Sequence, residues 1–363
     1  MGQFGLPNKA PQSIAEFYPS SITWTCYYTG WYRLSALGAG GSGGAIYRSA
    51  ANFGSATGGG GGAFAEKEVY LIVGDTLTIV VGAGGARTAS TVDVTGVNGN
   101  DGGETTIHGA SGSDICLAIN IHAGGGGHGH FAIINGEAIT GGVGGTVSGN
   151  YDLGFAGGAG GDALHTSAYR NASGGGSSGS PYGIGGRGGH SKRTTAHANT
   201  GGGGIAGNHG GDITATATFT HGASSFESAP NNADGVSGNA PRNKIGIRTN
   251  AGIISPPRYG GGLTLNTTFW PAGLESSSNP FRAITSGVQT ISESGVGCGG
   301  GADSDGSAYS SPAFGGSAGC RLATPAGGGL LTGIGGGSGG ITNGNACTSA
   351  AGGEGIVAIE RIG

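Results

Sequence analysis

The sequence predicts an all-β protein: a β-sandwich or jelly-roll-like frame that carries polyglycine-II-type glycine tracts and long loops. Three observations lead to this prediction. Glycine makes up 89 of the 363 residues, against a usual share of about 7%. Runs of aromatic and β-branched residues, which are typical of strands, stand between the glycine tracts. No segment repeats its apolar residues with the 3.6-residue period of a helix, so we expect almost no helix beyond a turn near residues 13–17.

The predicted strands lie mainly near the two ends of the chain. Residues 22–28 and 31–37 are rich in aromatic and β-branched side chains and read as a strand, a kink and a strand. Residues 63–73 and 76–81 flank the dipeptide Gly74-Asp75, a two-residue connection that predicts a β-hairpin. Shorter strands are expected at 104–108, 115–122 and 355–362.

Glycine tracts separate these strands, and they have two possible structures. Gly/Ser-rich chain is commonly a flexible linker, but it can also form extended helices of three residues per turn that bundle through backbone hydrogen bonds. The many aromatic residues between the tracts favour the second structure, because aromatic side chains indicate a packed domain. Tracts of four to eight residues would then be about 12–25 Å long, with the joining segments emerging as loops at their ends. The tracts are 38–44, 58–62, 82–85, 124–127, 157–161, 201–204, 299–301 and 333–340.

Two regions follow from this organisation. Residues 1–20 contain Pro7, Pro11 and Pro19 and read as an N-terminal attachment arm. Residues 21–363 form a glycine-rich β domain, with a strand frame at 21–122 and 351–363 and a region of glycine tracts and variable loops at 123–350. Rigid scaffolds that display loops of this kind commonly serve as binding surfaces.

Composition and charge exclude several classes of protein. The net charge of −4 gives no attraction to phosphate, so we expect no nucleic acid partner. No run of about 18 apolar residues is present, so we expect no membrane insertion, and the first residues do not resemble a secretion signal. The five scattered cysteines read as reduced, partly buried thiols, with a disulfide between Cys298 and Cys320 as the alternative.

Four segments of the chain carry a family resemblance. They are ITWTCYYTGWYRLSALGAGGSGG, TGGGGGAFAEKEVYLIVGDTLTIVVGAGG, NGNDGGETTI and the closing AGGEGIVAIERIG. In this order they resemble the glycine-rich domain of bacteriophage tail and tail-fibre proteins, including tail-tip adhesins. The resemblance runs from residue 22 to residue 362, although residues 131–320 follow it only in their recurring glycine tracts.

The resemblance implies a virion protein of the tail tip or tail fibre, made in the host cytoplasm and active without catalysis or a cofactor. It further implies attachment to a bacterial surface receptor, either an outer-membrane protein or lipopolysaccharide, together with contacts to other phage tail proteins. A homotrimer is expected from the habits of tail fibres. The alternatives are a purely structural minor tail or baseplate component, an ice-binding protein and a capsule depolymerase.

Candidate receptor-binding residues are the cations and aromatics of the predicted loops. Cations offer contacts to anionic cell surfaces, and aromatic side chains give large contact areas at little entropic cost. The candidates are Arg187, Lys192, Arg193, Phe219, Phe226, Arg242, Lys244 and Tyr259.

Metal and catalytic signals are weak. His128 and His130 form a His-x-His pair that needs a further ligand to hold a metal, and otherwise they are polar loop residues. The tight carboxylate pair Asp303 and Asp305 is more typical of a polar turn than of a glycoside hydrolase. We therefore expect no catalytic residues.

Overall fold

The computed structural model describes most of the chain outside one long region. The described residues are 15–48, 54–93, 95–166, 169–181, 183–192, 198–200, 202–203, 207, 209–210, 212–213, 219–220, 248–249, 252–253, 299, 334–343 and 347–362.

Within these residues the elements are nearly all strands, which confirms the all-β prediction. In chain order they are β1 Ala15–Tyr18, β2 Ile22–Thr25, β3 Gly30–Leu37, β4 Ala45–Tyr47, β5 Ser55–Ala56, β6 Phe64–Leu71, β7 Thr76–Val80, β8 Ala89–Ser90, β9 Thr95–Val97, β10 Thr105–Ser111, α1 Asp114–Leu117, β11 Asn120–Ala123, β12 Phe131–Ala132, β13 Ala138–Ile139, β14 Val147–Gly149, β15 Leu153–Phe155, β16 Ala163–Leu164, β17 Asn171–Ala172, β18 Ala198–Asn199, β19 Asp212–Ile213, β20 Phe219–Thr220, β21 Arg248–Thr249, β22 Gly252–Ile253, β23 Ile341–Asn343, β24 Cys347–Thr348 and β25 Ile356–Arg361.

Two antiparallel five-stranded sheets form a β-sandwich. One sheet has the strand order β1-β25-β3-β6-β15, and the other has the order β14-β11-β10-β7-β2. Alternate residues of each sheet point into a shared core, as the period-2 geometry of strands requires. Each fully buried Leu or Ile there contributes about 1.5–3 kcal/mol by leaving water. The largest core side chains include Leu34 and Leu71 from the first sheet and Leu77, Ile79, Ile107 and Ile121 from the second.

The predicted hairpin at residues 63–81 is wrong. β6 and β7 belong to different sheets, so the chain between them crosses from one sheet of the sandwich to the other. Residues 72–75 form a β-turn in which the Asp75 N–H donates to the Ile72 carbonyl at 3.0 Å and Gly74 has a φ of 93°. A positive φ at the third turn residue alone is the type II pattern, which does not match the twist of paired hairpin strands.

The predictions for two short segments are also wrong. Residues 115–122 do not form one strand, because Asp114–Leu117 is a one-turn helix with Ser113 as its N-cap and only β11 follows as a strand. The turn expected near residues 13–17 is replaced by β1, which pairs with β25. The last residues of the proposed 1–20 arm therefore belong to the sandwich, and residues 1–14 lie outside the described part.

Within the described residues the glycine tracts form polyglycine-II-type helices, as the sequence predicts. Neighbouring tracts run either antiparallel or parallel, and every third residue bonds to the same neighbour, which is the three-residue turn of this helix. The helices, with the few serines and threonines inside them, are called the glycine bundle below. Within tract 38–44, Gly38, Gly41 and Gly44 donate to Ala63, Gly60 and Thr57, whereas Ala39 and Ser42 donate to Gly103 and Asn100.

Only glycine permits this packing at most positions. A Cβ at Gly60, for example, would overlap the carbonyl oxygen of Val143 in the next helix. The entropy that glycine loses on folding is offset by hydrogen bonds to neighbours on several sides.

The sandwich and the glycine bundle share the same chain segments. β3 continues into tract 38–44, and tract 57–63 returns to β6. Two strands of the predicted variable region, β14 and β15, are edge strands of the sandwich, so the division at residue 123 does not follow the fold.

Candidate functional site

The segments between outgoing and returning glycine helices gather at the end of the bundle remote from the sandwich. A seven-residue tract such as 38–44 separates this end from the sandwich by about 22 Å. We call it the tip and define it by residues 45–48, 54–56, 86–93, 95–98, 131–140, 162–166, 169–172, 190–192, 198–199, 341–343 and 347–348.

Short strands join these segments to one another. β4 lies between β23, which is parallel to it, and β9, which is antiparallel. β5 pairs with β12 and β17, β17 with β18, β13 with β16, and β8 with β24. Tip segments far apart in sequence are therefore held in one framework.

Side chains fix the segments further. Ser90 Oγ accepts a hydrogen bond from the Tyr47 N–H at 2.9 Å and donates to the Thr95 carbonyl at 2.5 Å. Gly96 lies directly under the ring of Phe131, where a Cβ would overlap the ring. These contacts explain why a serine and a glycine occupy those positions.

A turn at residues 134–137 is an exposed feature of the described tip. The Glu137 N–H donates to the Ile134 carbonyl at 3.1 Å, and Gly136 adopts a φ of 82°. Buried His165 anchors the turn, because its N–H donates to the Glu137 carbonyl and its carbonyl accepts from the Gly136 N–H. Burial, together with the nearby Arg48, lowers the pKa of His165, so its imidazole is neutral near neutral pH.

Exposed apolar side chains occur at this turn and elsewhere on the tip. Ile134 is 67% exposed and Val92 is 63% exposed, and Val97 and Ile133 are also exposed. Arg48 donates from Nη1 to the Ile133 carbonyl at 3.4 Å. Sequence reasoning missed these residues, although the pair Ile133-Ile134 directly before Asn135-Gly136 is a usable signal of apolar residues placed on a turn.

Arg187 does not lie in a loop, which corrects its prediction as a loop cation. It stands inside the glycine helix 185–191. Its guanidinium forms a bidentate ion pair with Asp212, in which Nη1 donates to Oδ1 at 2.9 Å and Nη2 donates to Oδ2 at 3.0 Å. Its charge is therefore largely neutralised inside the bundle. Lys192 does lie at the tip, with Nζ 3.6 Å from Asp162 Oδ2.

His190 lies between these ion pairs. Burial and the positive charge of Arg187 lower its pKa, although Asp162 and Asp212 act in the opposite direction. The Asp162 N–H donates to His190 Nδ1 at 2.8 Å, which places the proton of the neutral ring on Nε2. For Asp212, burial alone would raise the pKa, but hydrogen bonds from Arg187 and the His190 N–H lower it overall.

The remaining receptor-binding candidates are not brought together by the described residues. Phe219 belongs to β20, where it pairs with Ile213. Arg193, Phe226, Arg242, Lys244 and Tyr259 lie outside the described residues.

The Nδ1 atoms of His128 and His130 both contact other groups of the protein. The rings of His128 and His130 are 4.9 Å apart, and Nδ1 of His128 contacts Asp101 while Nδ1 of His130 contacts the Thr140 carbonyl. The described part of the chain holds no group of three or more His, Cys, Asp or Glu side chains arranged to bind a metal. A metal at this pair would need a ligand from elsewhere.

The structure describes three of the five cysteines and neither residue of the pair Asp303 and Asp305. Cys26, Cys116 and Cys347 are buried thiols outside any disulfide. Cys298, Cys320, Asp303 and Asp305 lie outside the described residues. The one helix among the described residues spans four residues, far too few to cross a bilayer.

Comparison with known proteins identifies the class of this chain. The family model of the glycine-rich domain matches residues 18–224, more than half of the sequence. The chain therefore belongs to the glycine-rich domain family. No curated protein matches it.

Proposed function

We propose that this chain is a receptor-binding adhesin of a bacteriophage tail, and that its tip contacts a receptor on the bacterial surface. One observation carries the proposal: the glycine bundle holds many unlike segments in a single framework at the end remote from the sandwich. Stable helices supporting variable surface segments are well suited to recognition, because the segments are ordered before binding.

The resemblance to tail and tail-fibre proteins supports the virion assignment. It supports a position at a tail tip or tail fibre, in contact with other tail proteins. The homotrimer and the absence of catalysis remain predictions.

The chemistry of the described tip suits a receptor with an apolar surface. Ile133, Ile134 and Val92 are exposed aliphatic side chains of the tip, and Ile134 is the first residue of turn 134–137. Such a surface fits the loops of an outer-membrane protein better than a sugar chain, because aliphatic side chains gain most from apolar partners. The described tip also carries the cations Arg48, Arg87, Arg170 and Lys192, side chains of the kind that bind lipopolysaccharide phosphates.

Cell binding tests the proposal. Fluorescent protein is titrated onto a panel of bacterial strains, with infection of the bound strain measured in competition. The variant Val92→Asp/Ile134→Asp is expected to lose at least about tenfold in affinity. The control Val143→Asp changes an equally exposed residue, 71% exposed, on a glycine helix between sandwich and tip, and it is expected to bind normally.

Two results would count against the proposal. Equal cell binding by the tip variant and the wild-type protein would remove the described tip surface from recognition. No saturable binding to any strain by the folded protein would favour the second candidate, a structural tail or baseplate component. That candidate is favoured by the exposed apolar surface at the opposite end of the molecule, argued below.

Ice binding and capsule degradation have less support. The Thr-x-Thr run at 214–220 is described only at Phe219 and Thr220, and the carboxylate pair at 303 and 305 is not described. Thermal hysteresis and halo formation on capsulated cells are the direct tests of these activities.

A further inference from the structure

The end of the sandwich remote from the glycine bundle exposes a large share of the apolar surface. We call it the base and define it by residues 26–31, 70–75 and 113–117. It holds eight of the seventeen large hydrophobic side chains that are exposed in the described part of the chain. They are Tyr27 (73% exposed), Tyr28, Trp31, Tyr70, Ile72, Val73, Ile115 and Leu117.

These side chains stand on segments that touch one another. The rings of Trp31 and Tyr70 meet edge to face at 5.7 Å. The Val73 N–H donates to Thr29 Oγ1 at 3.1 Å, which joins the two chain crossings between the sheets. Ser113, the N-cap of α1, donates to Asp75 from both its N–H and its hydroxyl. The base is therefore one continuous surface.

The base is also held in place by contacts beneath it. The Tyr32 hydroxyl donates to the Tyr28 carbonyl at 2.6 Å, and the Arg361 guanidinium lies 5.5 Å from the centre of the Tyr28 ring. Asp75 accepts from the Ile72 N–H at 2.9 Å. Because the backbone of the base is already ordered, little conformational entropy is lost there when a partner binds.

Acidic residues border the aromatic pair. Arg33 contacts three carboxylates, those of Glu66 at 3.5 Å, Glu68 at 2.8 Å and Glu360 at 3.1 Å, which leaves this cluster with an excess of negative charge. Arg33 is two residues from Trp31 on β3, and Glu68 is two residues from Tyr70 on β6, so the cluster and the ring pair share the outer sheet face.

We propose that the base is a docking surface for a second protein that presents apolar side chains next to lysine or arginine. Aromatic residues at the centre of a surface are typical of protein interfaces, and large exposed apolar patches mark such sites. The acidic border selects a cationic partner and disfavours a second copy of the same base. The aliphatic Ile72, Val73, Ile115 and Leu117 favour a protein over a sugar.

This inference does not rest on receptor binding, because it concerns the opposite end of the molecule. Its test begins with a photoactivatable benzoylphenylalanine in place of Tyr27, introduced into the full chain in the cells that produce it. The matched control carries the same residue in place of Val92 at the tip. Cross-linked peptides are identified by mass spectrometry, and the captured protein is then purified and titrated against the unmodified chain.

The expected partner is a different protein, cross-linked from position 27 and not from position 92, through an apolar segment that contains lysine or arginine. Its affinity for Trp31→Ser/Tyr70→Ser is expected to fall at least about tenfold, with Ile134→Ser as the unaffected control. Raising NaCl from about 50 to about 300 mM is expected to weaken binding of the partner. In the Glu68→Gln variant the affinity is expected to depend less on the salt concentration.

Each other outcome overturns the proposal. Cross-links only to a second copy, or only to residues 1–14 of the same chain, would assign the base to a self-contact. No cross-link, or a partner whose affinity ignores both the base substitutions and salt, would show that the base docks nothing of the stated chemistry. Because these readouts do not involve cell binding, they are distinguishable from a failure of the adhesin proposal.

Discussion

The Gly43 N–H donates a hydrogen bond to the hydroxyl oxygen of Ser338 at 2.6 Å, linking two glycine helices inside the bundle. The same hydroxyl donates to the Ala350 carbonyl at 2.8 Å, so one side chain satisfies backbone groups of two neighbours. Buried hydroxyls therefore supply backbone hydrogen bonds within the bundle. Comparable acceptors are Ser173 for Gly58, Thr200 for Gly174 and Ser177 for Gly186.

Ser338→Ala is expected to destabilise the protein by about 1–3 kcal/mol, because it leaves a buried N–H and a buried carbonyl without this partner. The free energy of unfolding is measured by urea denaturation followed by circular dichroism. The control is Ser148→Ala, an exposed serine of β14. Equal stability of both variants would show that the Ser338 bridge contributes little.

Gly60→Ala is expected to destabilise the protein by more than about 3 kcal/mol, since the added Cβ overlaps backbone atoms of a neighbouring helix and neither side can move alone. Gly136→Ala provides the comparison, because this tip glycine has open space around its Cβ position and a φ of 82°. It should cost only the left-handed strain of about 1–2 kcal/mol. Unfolding by denaturant measures both, and the reverse order of stability would contradict close packing of the tracts.

Local sequence predicted the class of structure better than the connections between its parts. Tract composition together with the surrounding aromatics predicted the glycine helices, because only glycine allows helices of this kind to touch. The hairpin prediction failed at Gly74-Asp75, because a turn dipeptide does not specify whether the strands it joins pair or belong to different sheets. That choice depends on β2 and β10, the partners that β7 takes from distant sequence.

The candidate site was predictable only in part for the same reason. The tip follows from the alternation of tracts and loops, and Lys192 lies in it, while its role in receptor binding stays a prediction. Arg187 was misplaced because its partner Asp212 stands 25 residues further along the chain, and nothing in the local sequence reveals that pair. The apolar base was missed because Tyr27, Tyr28 and Trp31 read as ordinary strand residues, and exposure depends on the fold.

Asp75 is expected to contribute to the acid sensitivity of the sandwich. Burial alone would raise its pKa, but hydrogen bonds from the Ser113 N–H, the Ile72 N–H and the Ser113 hydroxyl lower it overall. A lowered folded-state pKa gives stability that is present above the unfolded value of about 3.9 and is lost as pH falls through the folded value. Asp75→Asn should therefore lower the free energy of unfolding near neutral pH and flatten its fall in acid.

Urea denaturation between about pH 2 and pH 7 measures this effect. The control is Asp152→Asn, a carboxylate of the sandwich that is 54% exposed and whose pair with Lys67 spans 3.4 Å. An acid limb that is unchanged in Asp75→Asn would assign the acid sensitivity to other groups.

His190 gives the sharpest electrostatic test of the glycine bundle. Its pKa is lowered by burial and by Arg187, so the folded state resists protonation below the ordinary value of about 6.5. The stability associated with neutral His190 is therefore present above that value and decreases as pH falls through it. Arg187→Gln should raise the pKa of His190, because it removes the nearby positive charge and leaves Asp212 to act on the ring. Lys192→Gln should raise it less, since Lys192 has a smaller effect on the ring.

Titration by NMR of the ring nitrogens measures the pKa of His190. It also reports whether the neutral ring carries its proton on Nε2, as the bond from the Asp162 N–H to Nδ1 requires. A His190 pKa above the ordinary value, or one unchanged by Arg187→Gln, would contradict the placement of this histidine between the two ion pairs.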